Sequence, residues 1–195
     1  MNTGKLAMAD PQHELVLGGA KSGKSRIAEQ RAAAWLVEDR GRTATLVATA
    51  LAADDEMAER IARHRADRAA RVSALHTVQA PHALGLALRQ QAHAQRLLVV
   101  DCLTLWLTQC LLPPAGSPAP RPWEQERDEL LAAIQDSVSP IVLVSNEISL
   151  GVMPMSREAR AFIDTLGLLH QAVAERCTRV TLMVAGCELR VKERR

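Results

Sequence analysis

The chain has 195 residues, with 24 Lys and Arg against 22 Asp and Glu, for a formal charge of +2. That length makes one domain with a real core, and the near-neutral balance argues against a dedicated nucleic-acid or membrane-surface binder. A hydrophobic content of 48% with 24% charged residues excludes disorder, and no apolar run approaches the ~20 residues of a membrane helix.

In chain order, residues 1–12 read as a loose polar extension and 13–195 as a single catalytic domain. Glu14–Leu17 is a short apolar run stopped by Gly18-Gly19, a buried strand and a turn. A helical pattern follows from Lys24 to Asp39, ended by Gly41, then a strand-like run over Ala44–Thr49. A long helix is expected over 54–74, with Asp54 as its N-cap, and another from Pro81 to about Gln95. Leu97–Asp101 is a third strand ending in an acid, and Leu103–Leu112 is helical. Pro113–Pro122 is a polyproline-like surface loop. Trp123–Ser137 is a helix, Ile141–Val144 a fourth strand, Arg157–Arg176 a long helix and Val180–Val184 a fifth strand, with a short strand near Leu189–Val191. Continuous apolar strands separated by helices predict a mostly parallel sheet covered on both faces, with ligands at the C-terminal strand ends. Four cysteines at 102, 110, 177 and 187 lack metal-ligand spacing and read as buried thiols of a cytoplasmic protein.

Gly18-Gly19-Ala20-Lys21-Ser22-Gly23-Lys24-Ser25 fits the phosphate-binding pattern G-x-x-x-x-G-K-[ST] between a strand and a helix. Its glycines allow a tight loop whose N–H groups face phosphate oxygens, and the helix turns its positive end toward the same anion. Lys24 would reach the β- and γ-phosphates, Ser25 would ligate Mg²⁺, and Asp101 would hold that ion directly or through water. Asp101 could also cap the next helix, a role compatible with holding the ion. The base-reading N-K-x-D of a GTP switch is absent.

Five arginines lie between 60 and 71. Glu56–Arg60, Glu59–Arg63 and Asp67–Arg71 are acid-to-base pairs at i,i+4, as on an ordinary solvated helix, whereas Arg65 and Arg68 have no acid at i±3 or i±4. Beside these two cations, His64 shares one stripe with Met57 and Ile61. It reads either as a packed core histidine or as an imidazole nucleophile toward phosphorus.

These motifs together resemble the bifunctional adenosylcobinamide kinase / adenosylcobinamide-phosphate guanylyltransferase family of cobalamin biosynthesis. The resemblance rests on Gly18–Arg26, on Asp54-Asp55-Glu56-Met57 with Arg60-Ile61 and His64-Arg65, and on Asp101–Leu107. Val144–Glu147 with Gly151–Pro154, and Arg160, Phe162, Asp164 and Gly167, extend it in family order. It implies a RecA-like P-loop core, a homotrimer, and two reactions. The γ-phosphate of ATP or GTP passes to adenosylcobinamide; then a guanylyl-histidine, carried over onto His64, gives GMP from GTP to adenosylcobinamide phosphate. It also implies nucleotide contacts at Gly18–Ser25 (with Gly19, Ala20, Lys21, Ser22, Gly23 and Lys24), at Thr49, Ala50 and Leu51, at Arg65, Ala66, Asp67 and Arg68, at Gln79 and at Asp101. Lys21 stands where the family has Arg, Gln79 where it has Glu, Ser149-Leu150-Gly151 in place of G-x-G, and His170 in place of Asn. The competing expectations are a small-molecule kinase without guanylyl transfer and a non-catalytic RecA-like assembly subunit.

Overall fold

A computed structural model describes residues 12–52, 55–114, 117 and 120–193. Seven strands form one sheet: β1 (Glu14–Gly18), β2 (Thr43–Ala48), β3 (Leu75–Gln79), β4 (Arg96–Asp101), β5 (Ile141–Asn146), β6 (Arg179–Val184) and β7 (Cys187–Glu193). Six helices connect them: α1 (Lys24–Glu38), α2 (Asp55–Arg71), α3 (Leu84–Gln91), α4 (Leu103–Leu111), α5 (Trp123–Gln135) and α6 (Arg157–Arg176). The strand order is β3-β2-β4-β5-β1-β6-β7, parallel throughout except for the antiparallel hairpin β6–β7.

The central strands are apolar at successive positions because both faces are covered. Leu98 and Val100 of β4, with Leu15 and Leu143, pack against α3–α6 through Leu84, Leu103, Trp106, Leu130, Ile134 and Leu169. Leu97 and Val99, with Val16, Val142 and Val144, pack against Ile27, Ala28 and Ala32 of α1. Alternate residues of one strand therefore feed two cores, as the two-residue period of a strand requires. A charged exception, Glu14, is buried at the start of β1. Arg31 reaches its Oε2 at 2.9 Å and Thr181 Oγ1 donates to its Oε1 at 2.7 Å, so the carboxylate has partners.

Several expectations need correction. The stretch read as the tail of a 54–74 helix ends at Arg71, and Leu75–Gln79 is a strand that the sequence reading left out. The helix expected from Pro81 spans only Leu84–Gln91, because Ala83 adopts a left-handed φ of 49° and starts it there. The closing strand is seven residues long. The N-cap of α4 is Cys102, so Asp101 belongs to the strand and not to a cap. Cys102, Cys110 and Cys177 are buried free thiols, but Cys187 is exposed on the β6–β7 hairpin. The extension through residue 11 and the expected cap Asp54 lie outside the described residues. Among the described residues no helix is long and apolar enough to cross a membrane.

Candidate active site

The parallel strands deliver their C-terminal ends to one rim: Gly18 from β1, Gln79 from β3, Asp101 from β4 and Asn146 from β5, with Thr49 just past β2. This is the edge at which open α/β sheets bind ligands. The loop Gly18–Ser25 leaves β1 there.

Backbone geometry explains the residue types of that loop. Gly18 has φ 154°, and a Cβ on it would lie 2.6 Å from the carbonyl oxygen of Met183 and from Ser22 Oγ. Any other residue would drive the loop off β6. Gly23 (φ 102°) and Lys21 (φ 54°) carry the turn into α1. No side chain caps the first turn of α1, so its dipole and leading N–H groups are directed at the loop's concavity. The loop is fixed from three sides. Ser22 N donates to Gly19 O at 3.3 Å, Gly186 N of the β6–β7 turn donates to Ser22 O at 3.0 Å, and Glu147 N donates to Gly18 O at 3.0 Å.

Lys24 is buried and its Nζ arches back to Gly19 O at 2.5 Å, which holds the ammonium across the mouth of the loop. Ser25 Oγ donates to Asp101 Oδ2 at 3.3 Å. An alcohol and a carboxylate oxygen are thus side by side, the hard-oxygen pair that suits Mg²⁺, which takes one or two carboxylates and completes its shell with phosphates and water. Among the described residues no group of three or more His, Cys, Asp and Glu gathers into a cage. The residues present fit Mg²⁺ held jointly with a nucleotide.

Thr49 is fully buried, and its Oγ1 is used within the protein. It donates to Cys102 O and accepts from Cys102 N, both at 2.8 Å, while Thr49 N donates to Asp101 O at 3.1 Å. The residue after β2 therefore clamps the end of β4 and sets where Asp101 sits. Ala50 and Leu51, half-buried, lead away toward α2. Burial first, and the Asp101 carboxylate second, push the neighbouring Cys102 thiol up to about 11, so it is no nucleophile at neutral pH.

Helix α2 carries His64, Arg65, Ala66, Asp67 and Arg68. The side chains of Glu56, Arg60, His64, Arg65 and Asp67 lie outside the described ones; Ala66 is exposed and Arg68 buried. Arg71, matched by spacing to Asp67, reaches the buried Glu29 of α1 at 2.7 Å. That bridge ties the end of α2 to the helix that opens with Lys24 and Ser25. Gln79 is exposed at the edge of the rim, aligned with Ala48 and two strands from Asp101.

The sequence reading missed a polar chain behind the rim. Asn146 N donates to Thr104 Oγ1 at 2.8 Å, Thr104 Oγ1 lies 3.0 Å from Ser145 Oγ, and Ser145 Oγ lies 2.7 Å from His170 Nε2. His170 Nδ1 faces Glu147 Oε2 at 3.8 Å. Its residues stand in the Asp101–Leu107 and Val144–Glu147 motifs and at His170 on α6, but nothing in the sequence joins them.

Comparisons with known proteins agree with this geometry. The profile of the family described as cobinamide kinase / cobinamide phosphate guanyltransferase matches residues 14–191. The chain belongs to this family. It is 47% identical over 179 residues to the bifunctional adenosylcobalamin biosynthesis protein CobP of Pseudomonas aeruginosa, covering 92% of this chain and 96% of that one. It is 33% identical to the protein of the same description, CobU, of Escherichia coli, and 34% to that of Salmonella typhimurium, each over 91% of this chain and 98% of the relative. Among solved structures it resembles the flagellar accessory protein FlaH of Methanocaldococcus jannaschii, with a TM-score of 0.52 and 14% identity, over 94% of this chain and 80% of that one. That likeness concerns the fold alone, which with the Gly18–Ser25 loop after β1 is a P-loop nucleotide-binding fold.

Proposed function

We propose that this member of the family phosphorylates adenosylcobinamide with ATP or GTP and then guanylylates the product, with His64 as the covalent carrier of GMP. In the first step the acceptor hydroxyl oxygen bonds to the γ-phosphorus and the bridge to the β-phosphate breaks, releasing ADP or GDP. The Gly18–Ser25 loop and Lys24 hold the phosphates and meet the charge that develops on them. Mg²⁺ on Ser25 and Asp101 would supply further neutralisation of that charge. In the second reaction a neutral imidazole nitrogen of His64 bonds to the α-phosphorus of GTP and pyrophosphate leaves. The phosphate of adenosylcobinamide phosphate then displaces the imidazole, giving adenosylcobinamide-GDP. Arg65 and Arg68 stand near in sequence for the α-phosphate, and Ala50, Leu51 and Gln79 for the nucleoside.

The observation that carries this reading is the shared rim. A phosphate loop with Lys24 buried and Ser25 against Asp101 lies where β2 hands the chain to the helix that bears His64. Among its described residues α2 buries only Arg68. That exposure of its described residues supports assembly as a homotrimer in which a second copy packs over it; sedimentation of an active monomer would remove that part. Four free thiols fit a cytoplasmic setting.

The test is incubation with α-labelled GTP and Mg²⁺ without corrinoid. One GMP per chain should become covalent, be released by acid and survive alkali, as an N–P bond does. His64→Ala should abolish the label and keep kinase turnover. Kinase activity with no label in the unmodified chain would favour the kinase-only alternative, and neither activity would favour a non-catalytic subunit. Label undiminished in His64→Ala would move the carrier elsewhere, first to His76, exposed on β3.

A further inference from the structure

Strand β5 lies between β1, which delivers the phosphate loop, and β4, which delivers Asp101. Just past its own C-terminal end stands a second acid, Glu147, for which neither reaction above has a use. Its N–H is bonded to Gly18 O, so it leaves the sheet directly beside the first residue of the phosphate loop. A carboxylate there repels nucleotide phosphates, and its placement needs a reason. Its Oε1 is occupied: Ser149 N donates to it at 2.7 Å and Ser149 Oγ at 2.5 Å. Its Oε2 faces His170 Nδ1.

A polar chain lies behind it. Asn146 N–H donates to Thr104 Oγ1, which pairs with Ser145 Oγ at 3.0 Å. Ser145 Oγ in turn pairs with His170 Nε2 at 2.7 Å. In the tautomer in which Nε2 accepts from Ser145 Oγ, the ring proton is on Nδ1, the nitrogen 3.8 Å from Glu147 Oε2. That tautomer turns an N–H of the buried imidazole toward the carboxylate. Burial keeps it in that neutral form by lowering its pKa, against the opposing pull of Glu147.

Resting on the kinase reading above, we propose that Glu147 takes the proton from the acceptor hydroxyl as that oxygen bonds to the γ-phosphorus, and that His170, itself held by Ser145 and Thr104, is the positioning residue for its carboxylate. The hydroxyl O–H bond breaks, its proton passes to the carboxylate, and the nucleoside diphosphate leaves with the electrons of the β–γ bridge. Guanylylation of His64 involves no hydroxyl and does not need Glu147.

The experiment measures kinase turnover and covalent GMP uptake on the same full-length preparations. Glu147→Gln should lower the kinase kcat by ~10²-fold or more while the KM for nucleotide and GMP uptake stay near wild type. Added formate should restore part of the turnover to Glu147→Ala, which a scaffolding role would not allow. His170→Asn, which keeps an N–H for the carboxylate, should stay within about tenfold of wild type; His170→Val should fall further in kcat at unchanged nucleotide KM. Kinase activity of Glu147→Gln within about threefold of wild type would overturn the proposal, as would a parallel loss of kinase and label or an absence of formate rescue. An unmodified chain that takes up GMP but has no kinase turnover would overturn the kinase reading and this proposal together, a result distinct from an active chain indifferent to Glu147.

Discussion

The phosphate loop and helix α2 lie at the same rim but are built in opposite ways. The loop is over-determined: backbone bonds reach it from β5 and the β6–β7 turn, Gly18 has no room for a Cβ, and Lys24 closes its mouth. Among the described residues, helix α2 is tied to α1 at its end, where Arg71 meets Glu29 and Val72 enters the core beside α1. Transfer of the γ-phosphate needs only one fixed arrangement of phosphates, which a rigid cradle provides. A carrier residue must meet the α-phosphorus of GTP and then a different acceptor, a task suited to an element anchored at one end. The two regions should therefore separate under mutation.

The strongest break in that comparison is Lys24→Ala, because both half-reactions use the phosphate loop. Kinase turnover and GMP uptake should each fall ~10²–10³-fold. The lost bond to Gly19 O should lower the melting temperature by only about 2–4 °C. Normal kinase turnover in this variant would remove the phosphate-loop assignment altogether.

Arg71→Ala is a smaller change that should touch one region alone. It removes the charge opposite the buried Glu29. Arg71 is itself partly exposed, so solvent screens the pair and the expected loss of stability is about 1–2 kcal/mol. GMP uptake should slow about tenfold while kinase turnover changes less than about twofold. Equal slowing of both would mean that α2 and the phosphate loop move as one unit.

What the sequence made legible follows the same division. Glu14–Leu17, Leu97–Asp101 and Ile141–Val144 are buried on both faces, so their apolar runs are unbroken and their positions could be read to within a residue or two. Leu75–Gln79 has a single buried residue and sits at the sheet edge, so nothing in its pattern separates it from the end of a helix. β7 is an almost wholly exposed edge and gave only a fragment for the same reason; its first residue, Cys187, is exposed with it. The phosphate loop is local in sequence and declares itself. The chain from Thr104 through Ser145 to His170 joins residues 41 and 25 positions apart, and no spacing rule reaches that far. Glu14, at the head of a buried run, likewise shows no partner in the sequence until Thr181, 167 positions away, is seen beside it.

The smallest expected effect is on pH dependence, and it should belong to two buried histidines, His13 before β1 and His170 on α6, and not to the tie between α2 and α1. Burial lowers the pKa of both His13, which precedes β1, and His170 below the ordinary value of 6.5. Weak opposing contributions come from a backbone bond near Ile134 for His13 and from Glu147 for His170. In the window between the lowered folded values and 6.5, the unfolded chain binds more protons than the folded one. Stability is then complete above about pH 6.5 and is lost as pH falls below it, by at most ~1.4 kcal/mol per pH unit for each histidine. Thermal melts between pH 7.5 and 5 should show a decline beginning near pH 6.5, and His170→Asn should flatten it. Since α2 contributes neither histidine, Arg71→Ala should lower the whole curve without changing its slope. A slope unchanged in His170→Asn, or a decline confined to pH values well below 5, would mean that the carboxylates and not the buried imidazoles set the acid limit of the fold.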